Sequence, residues 1–111
     1  MKKYEIVKSK EKFNYIIKKG NKINNDCFNV FIEKNNLPYS SYGIAVSKKI
    51  GNAVMRNKIK RQIRNMIDNN KNLFPKGYNY IIMVKRTYCD FKFLELENKL
   101  NMLIRKVKDE K

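Results

Sequence analysis

Between Ser47 and Arg64 the chain reads SKKIGNAVMRNKIKRQIR, with seven lysines or arginines and no acid. Side chains of one sign at that density repel one another. A polyanion, an anionic membrane surface or plain water must offset that repulsion. Lysines outnumber arginines 21 to 5 over the whole chain, yet Arg56, Arg61 and Arg64 fall within nine residues. A planar guanidinium presents paired donors that match phosphate oxygens and base edges, which an ammonium does not. Groups suited to hydrolysis are missing. The chain has no His, and so lacks the commonest general base and metal ligand. Cys27 and Cys89 match no metal spacing. Neither a carboxylate pair nor a Gly-rich phosphate loop stands out.

These cations sit in a chain of 111 residues with a net charge of +16. That length is one domain, residues 1–111. Apolar residues make up 42%, with six Phe and seven Tyr, too many for a disordered chain. A charge this far from zero points to nucleic acid or an anionic membrane, with solubility as the bland alternative. The start, MKKYEIVKSKEKF, lacks the apolar stretch of a signal peptide. No window approaches the length of a membrane-spanning helix. The two cysteines read as reduced thiols, core or surface, of a cytoplasmic protein.

Ser9 is a plausible N-cap, Glu11 follows in the first turn, and Phe13, Ile16 and Ile17 recur at helical spacing before Gly20. These predict a helix over 10–19. From Ile23 to Glu33 the chain reads as a strand, with Phe28, Val30 and Ile32 on one face and Cys27, Asn29 and Phe31 on the other. Residues 34–41 carry turn chemistry, and 42–47 form the next strand, so the two strands read as a hairpin with a long loop. Gly51 and Asn52 then open a helix that 69–77 ends. Met55, Ile59, Ile63, Met66 and Ile67 make its apolar stripe. Asn57, Lys60, Arg61 and Arg64 share the other face, with Arg56 on the border. A continuous apolar run, Tyr80 to Val84, predicts a strand over 78–86 covered on both faces. Asp90 is expected to cap a last helix whose Phe93, Leu96, Leu100, Leu103 and Val107 turn inward, with acids early and bases late as the helix dipole favours. The order α-β-β-α-β-α places a strand, the basic helix and a strand in succession, which favours a parallel crossover.

A helix face of this kind is usually just solvated. Here it has no acid for i,i+4 pairing, and none occurs between Glu33 and Asp68. A membrane-surface helix would set bulky Leu, Phe or Trp opposite the charge, whereas this stripe is Met and Ile and the chain has no Trp. Nucleic acid fits best.

Those same residues resemble a family signature. In the bacterial ribonuclease P protein subunit the pattern runs Ser-Lys-Lys, an apolar residue, Gly-Asn-Ala-Val, then Arg-Asn-Arg, with Lys-Arg and a further Arg on the next turn. Here it reads Ser47, Lys48, Lys49, Ile50, Gly51, Asn52, Ala53, Val54, then Arg56, Asn57, Lys58, Lys60, Arg61 and Arg64. The match is long and ungapped. Lys58 stands where the family has Arg, which keeps the charge and loses the fork. More weakly, the likeness extends along the whole chain.

The resemblance implies a single RNA-binding domain whose partners are a catalytic ribonuclease P RNA and precursor tRNA, with no membrane or small-molecule substrate. Together they remove the 5′ leader. The RNA holds the catalytic Mg2+, and the protein alone binds no cofactor and has no catalytic residue. Lys48, Lys49, Arg56, Asn57, Lys58, Lys60, Arg61 and Arg64 would contact RNA. The leader would lie in a cleft lined by Phe13, Ile17 and Phe31, with ordinary core as the bland alternative for all three. Ile17 stands where the family often has an aromatic. The implied fold is a single-domain α+β sandwich with a mostly antiparallel four-stranded sheet, if the first strand bends and splits. It includes a left-handed βαβ crossover, where general handedness rules favour a right-handed one. Two other readings stand beside this one. A plain RNA-binding module such as a ribosomal protein would bind without stimulating cleavage. A helix-turn-helix DNA binder would need a short helix before the basic one, where the sequence has a strand pattern.

Overall fold

The structure, a computed structural model, describes residues 1–109. Helix α1 (Lys10–Lys19) begins as its sequence predicts, with Ser9 Oγ accepting from the Lys12 N–H at 3.3 Å. It stops at Gly20, where the chain must pass close to β2 (Phe28–Lys34). A Cβ on Gly20 would lie 2.6 Å from Ile16 O and 2.9 Å from Ile32 O.

The strand expected over 23–33 is two strands. Asn25 Oδ1 accepts from the N–H groups of Cys27 and Phe28 at 3.0 and 2.9 Å, and the Asn25 N–H donates to Phe28 O. This Asx turn folds β1 (Asn21–Asn24) back on β2, from Asn21 opposite Ile32 to Asn24 opposite Asn29. The expected hairpin between 23–33 and 42–47 does not form. Strand β4 (Tyr78–Val84) lies between β2 and β3 (Ser41–Ala45), giving the order β1-β2-β4-β3. Its apolar run is covered on both faces, so burial favours it at the centre. β4 is antiparallel to β2 and parallel to β3, from Ser41 opposite Asn79 to Ala45 opposite Met83. Helix α2 (Ala53–Asn69) makes the expected crossover between β3 and β4.

Phe28, Val30, Ile32, Tyr42, Tyr80, Ile82 and Val84 form the floor of the main core. Ile59, Ile63, Met66 and Ile67 of α2 join it with Leu96, Leu100, Leu103, Ile104 and Val107 of α3 (Phe93–Asp109). Tyr42 and Tyr80 stack with centroids 5.5 Å apart, and Phe74 meets both edge-on. Burial pushes the Tyr42 phenol up to about 12. The buried Tyr80 hydroxyl donates to Pro75 O at 2.6 Å. Met55, expected in the core stripe, is 42% exposed. Asp90 does not cap α3. A 3-10 turn over Arg86–Asp90 intervenes, with Tyr88 buried edge-on against Phe28. Glu95 Oε1 instead accepts from the Lys92 N–H at 3.1 Å, half of a capping box. No helix of the described residues is long and apolar enough to cross a membrane.

The opposite sheet face carries a smaller core of Val7, Ile16 and Ile81, with α1 laid over β2 and β4. The N-terminal segment is tied to the edge of β3 by the Val7 N–H, which donates to Tyr42 O. It is tied to the end of α2 by Lys71 Nζ on Glu5 Oε1 at 2.7 Å and by the Met1 amine on Asp68 at 2.9 Å. Burial raises the Glu5 carboxyl, but the hydrogen bonds from Lys71 and the Lys2 N–H outweigh it and hold the group below its ordinary value. A depressed carboxyl contributes stability above its unfolded value, near pH 4.5. That contribution is lost as pH falls through the folded value. Thermal unfolding against pH is therefore expected to show a smaller acid-side fall for Glu5→Gln than for the parent chain.

Candidate nucleic-acid interface

Asn52 starts the basic helix, its Oδ1 accepting from the Met55 N–H at 2.9 Å. Just before it, Ser47 Oγ accepts from the Lys49 N–H and Ser47 O from the Ile50 N–H, at 3.2 and 3.0 Å. This turn leaves Lys48 and Lys49 exposed beside the positive end of α2, whose first turn holds no acid. One stripe of α2 then presents Asn57, Arg61 and Arg64, all exposed, with Lys60 half-buried. Arg56 is half-buried at the border, and its Nε is buried without a partner. Lys58 departs from the stripe. It lines a groove with Ile59, Gln62, Tyr88 and Phe93, on the side of α2 that faces the start of α3.

Among the described residues, the ion pairs link Asp68 to the Met1 amine, Lys71 to Glu5 and Asp68, and Lys99 to Asp26. None of the seven cations from Lys48 to Arg64 takes part. The carboxylates nearest the helix are committed at its far end, so the positive field along the stripe is uncompensated within the chain. A polyanion would release counterions there and gain affinity. A strand and a turn precede α2, so the helix pair of a helix-turn-helix is absent among the described residues.

Phe13, Ile17 and Phe31 come together. All three are half-buried around Val7, Ile16 and Ile81, with Met83 beside them. Phe31 sits on the sheet face opposite Phe28, Val30 and Ile32, as the alternation predicts. The two groups of candidate residues also meet each other. Lys60 and Arg64 line a small cavity of about 80 Å³ with Ile6, Phe13 and Gly43. The basic stripe therefore runs up to the mouth of the aromatic cleft.

Met83 and Gly43 escape the sequence reading of the cleft, and strand alternation places Asn29 on its face without showing that its Oδ1 is buried and unpartnered. Met83 joins Phe31 only because β4 pairs with β2, which an apolar run on its own does not indicate. Asn29, opposite Met83, brings a buried Oδ1 with no hydrogen-bond partner to the same face. Gly43 lets the Phe13 ring lie against β3. A Cβ there would be 2.6 Å from Phe13 Cε2 and 2.7 Å from Ile81 Cδ1. Gly43→Ala is therefore expected to push Phe13 out of place and cost about 1–3 kcal/mol by overpacking. Denaturant melts check the stability. The Phe13 ring resonances check the displacement.

Among the described residues, no three His, Cys, Asp or Glu side chains converge as a metal-ligand set. Cys27 is buried and Cys89 exposed, both free, and burial raises the Cys27 thiol.

A family model described as Ribonuclease P matches residues 1–108. The chain is 38% identical over 109 residues to the ribonuclease P protein component of Mycoplasma mycoides, covering 97% of this chain and 100% of that one. To the protein of the same name from Mesoplasma florum it is 39% identical over 105 residues, covering 94% and 96%. Among solved structures, the RNase P protein from Thermotoga maritima superposes with a TM-score of 0.85 at 31% identity, covering 92% of this chain and 96% of that one. The Staphylococcus aureus RNase P protein superposes at 0.85 and 33% identity, covering 94% and 95%.

Proposed function

The chain belongs to the ribonuclease P protein family, and we propose that it binds the catalytic RNA along α2 and the 5′ leader of precursor tRNA in the Phe13–Phe31 cleft. Ribonuclease P is an endoribonuclease of tRNA processing, and this chain is its protein subunit. The observation that carries the finer reading is the unpaired arginine stripe of α2 meeting the aromatic cleft at Lys60, Arg64 and Phe13.

In this reading Arg56, Arg61 and Arg64 set their guanidinium forks on phosphates, with Asn57 between them as a neutral donor and acceptor. Lys48 and Lys49 extend the contact past the helix N-terminus. Lys60 faces the junction with the cleft. Lys58 reaches RNA from the other flank as a point charge. Unpaired leader bases stack on Phe31 and Phe13, while Ile17 supplies apolar contact alone. Stacking tolerates any base because every base has a π-face, which suits leaders of varied sequence. The RNA and its Mg2+ ions carry the cleavage. The protein's share is to hold substrate against that RNA.

Salt titration tests the electrostatic part. If about five phosphates are neutralised, log affinity for a ribonuclease P RNA falls with log salt at a slope of about −3.5 to −4.5. Filter binding between low and moderate potassium chloride measures it. A slope near zero would contradict a phosphate-tracking helix.

A further inference from the structure

Basic residues recur beyond Arg64 and the carboxylate of Asp68, at Lys71 and Lys76. Past the end of α2, Lys71 borders an open cleft of about 550 Å³ between the N-terminal 3-10 turn, the β2–β3 loop and the approach to β4. This volume is within the range of small-ligand sites. The cleft adjoins the start of β3, whereas Lys48 and Lys49 follow its end. Its wall holds two tyrosine rings edge to face, Tyr4 and Tyr39, with centroids 4.9 Å apart. Tyr4 is 54% exposed, so the residue stays open to solvent beside Tyr39, with the flexible Lys2 side chain over its ring.

The local charges favour an anion. Glu5 is tied to Lys71, and Asp68 to Lys71 and the Met1 amine. Both acids are thereby neutralised within the chain. Lys2 and Lys76 have no carboxylate partner among the described residues, and Lys2 Nζ lies 6.0 Å from the Tyr4 ring centroid. Exposed aromatic faces set among free lysines are how proteins take single-stranded nucleic acid: the base stacks and its phosphate meets the cation.

We infer that this cleft is a second single-strand site, distinct from the leader cleft. It receives an unpaired nucleotide of the RNA that follows α2, with the base on Tyr4 and the phosphate toward Lys2 and Lys76. The inference rests on the reading of α2 as an RNA-binding face.

The test uses the full chain with an eight-residue oligouridylate carrying 5-iodouridine, which forms photoadducts with stacked aromatic rings. Adducts mapped by mass spectrometry are expected on Tyr4, in addition to any on Phe31. Tyr4→Ala should remove the first, keep the second and weaken oligouridylate binding about fivefold or more. Tyr4→Phe should bind like the parent chain. Binding of an RNA duplex, which offers no unstacked base, should not change. Adducts on Phe31 with none on Tyr4 or Tyr39 would overturn the inference and leave α2 untouched. So would an equal loss of duplex and single strand in Tyr4→Ala. If an Arg61→Ala, Arg64→Ala double variant binds both probes like the parent chain, the α2 reading fails and this inference falls with it.

Discussion

Replacing Arg56, Asn57, Arg61 and Arg64 together by Ala is expected to weaken assembly with ribonuclease P RNA between about a hundredfold and a thousandfold. Each of three charge-assisted contacts is worth about 1.5 kcal/mol, the low end for hydrogen bonds to ionised groups, less any partial compensation by the remaining lysines. The salt slope should become shallower by about 2, at roughly 0.7 for each phosphate no longer neutralised. Stability should not suffer. Asn57, Arg61 and Arg64 are exposed, and Ala is the best helix former. Removing Arg56 also deletes a buried Nε that has no partner. Filter binding and a thermal melt on the same preparation separate the two effects. Assembly at parent strength by this variant would remove α2 from the interface.

Phe31→Ala is expected to weaken precursor tRNA binding to the assembled enzyme by about 5- to 150-fold and to leave mature tRNA unchanged. This range is the ~1–3 kcal/mol of a base stacked on an aromatic ring. Only the precursor carries a leader, so the ratio of the two affinities isolates the cleft from the rest of the tRNA contact. Phe31 is half-buried in the smaller core beside Ile81, so truncation also costs some stability, and binding must be measured well below the melting temperature. Equal loss for precursor and mature tRNA would mean that the ring serves packing alone.

Much of this arrangement can be read from local signals. Ser9, Asn52 and Gly20 set helix ends through side-chain and steric effects that depend mainly on near neighbours. The inward faces of α2 and α3 follow from helical periodicity, and the separation of Phe31 from Phe28, Val30 and Ile32 from strand alternation. Features that depend on partners distant in sequence cannot be read in this way. Asn24, Asn25 and Asp26 carry turn chemistry, but the alternation on either side reads through it. The break shows in the structure, where Asn25 Oδ1 accepts from the N–H groups of Cys27 and Phe28 and Asn25 Nδ2 donates to Lys99 O. The expected hairpin is absent because β4 inserts between β2 and β3.

Strand order is decided by burial of the whole sheet, and no local pattern in either strand reports it. Met83 and Gly43 enter the cleft for the same reason, as neighbours of Phe31 and Phe13 only through β4 and β3. Asp90 resembles a cap, but the 3-10 turn that buries Tyr88 delays α3 to Phe93. The basic stripe is the plainest feature in the sequence, since residue type and helical spacing alone define it. Its meeting with Phe13 is hidden there, because the N-terminal segment that joins them is held by Tyr42 and by the Glu5–Lys71 pair.

The subunit role is measured by a cleavage assay. Precursor tRNA with a labelled 5′ leader is mixed with a bacterial ribonuclease P RNA at low magnesium, with and without this protein. The expected result is little cleavage by RNA alone, none by protein alone, and a single cut at the mature 5′ end when both are present. RNA binding by the protein with no change in cleavage would contradict the subunit role and the leader-holding role of the aromatic cleft, and would leave α2 as the face of a plain RNA-binding module.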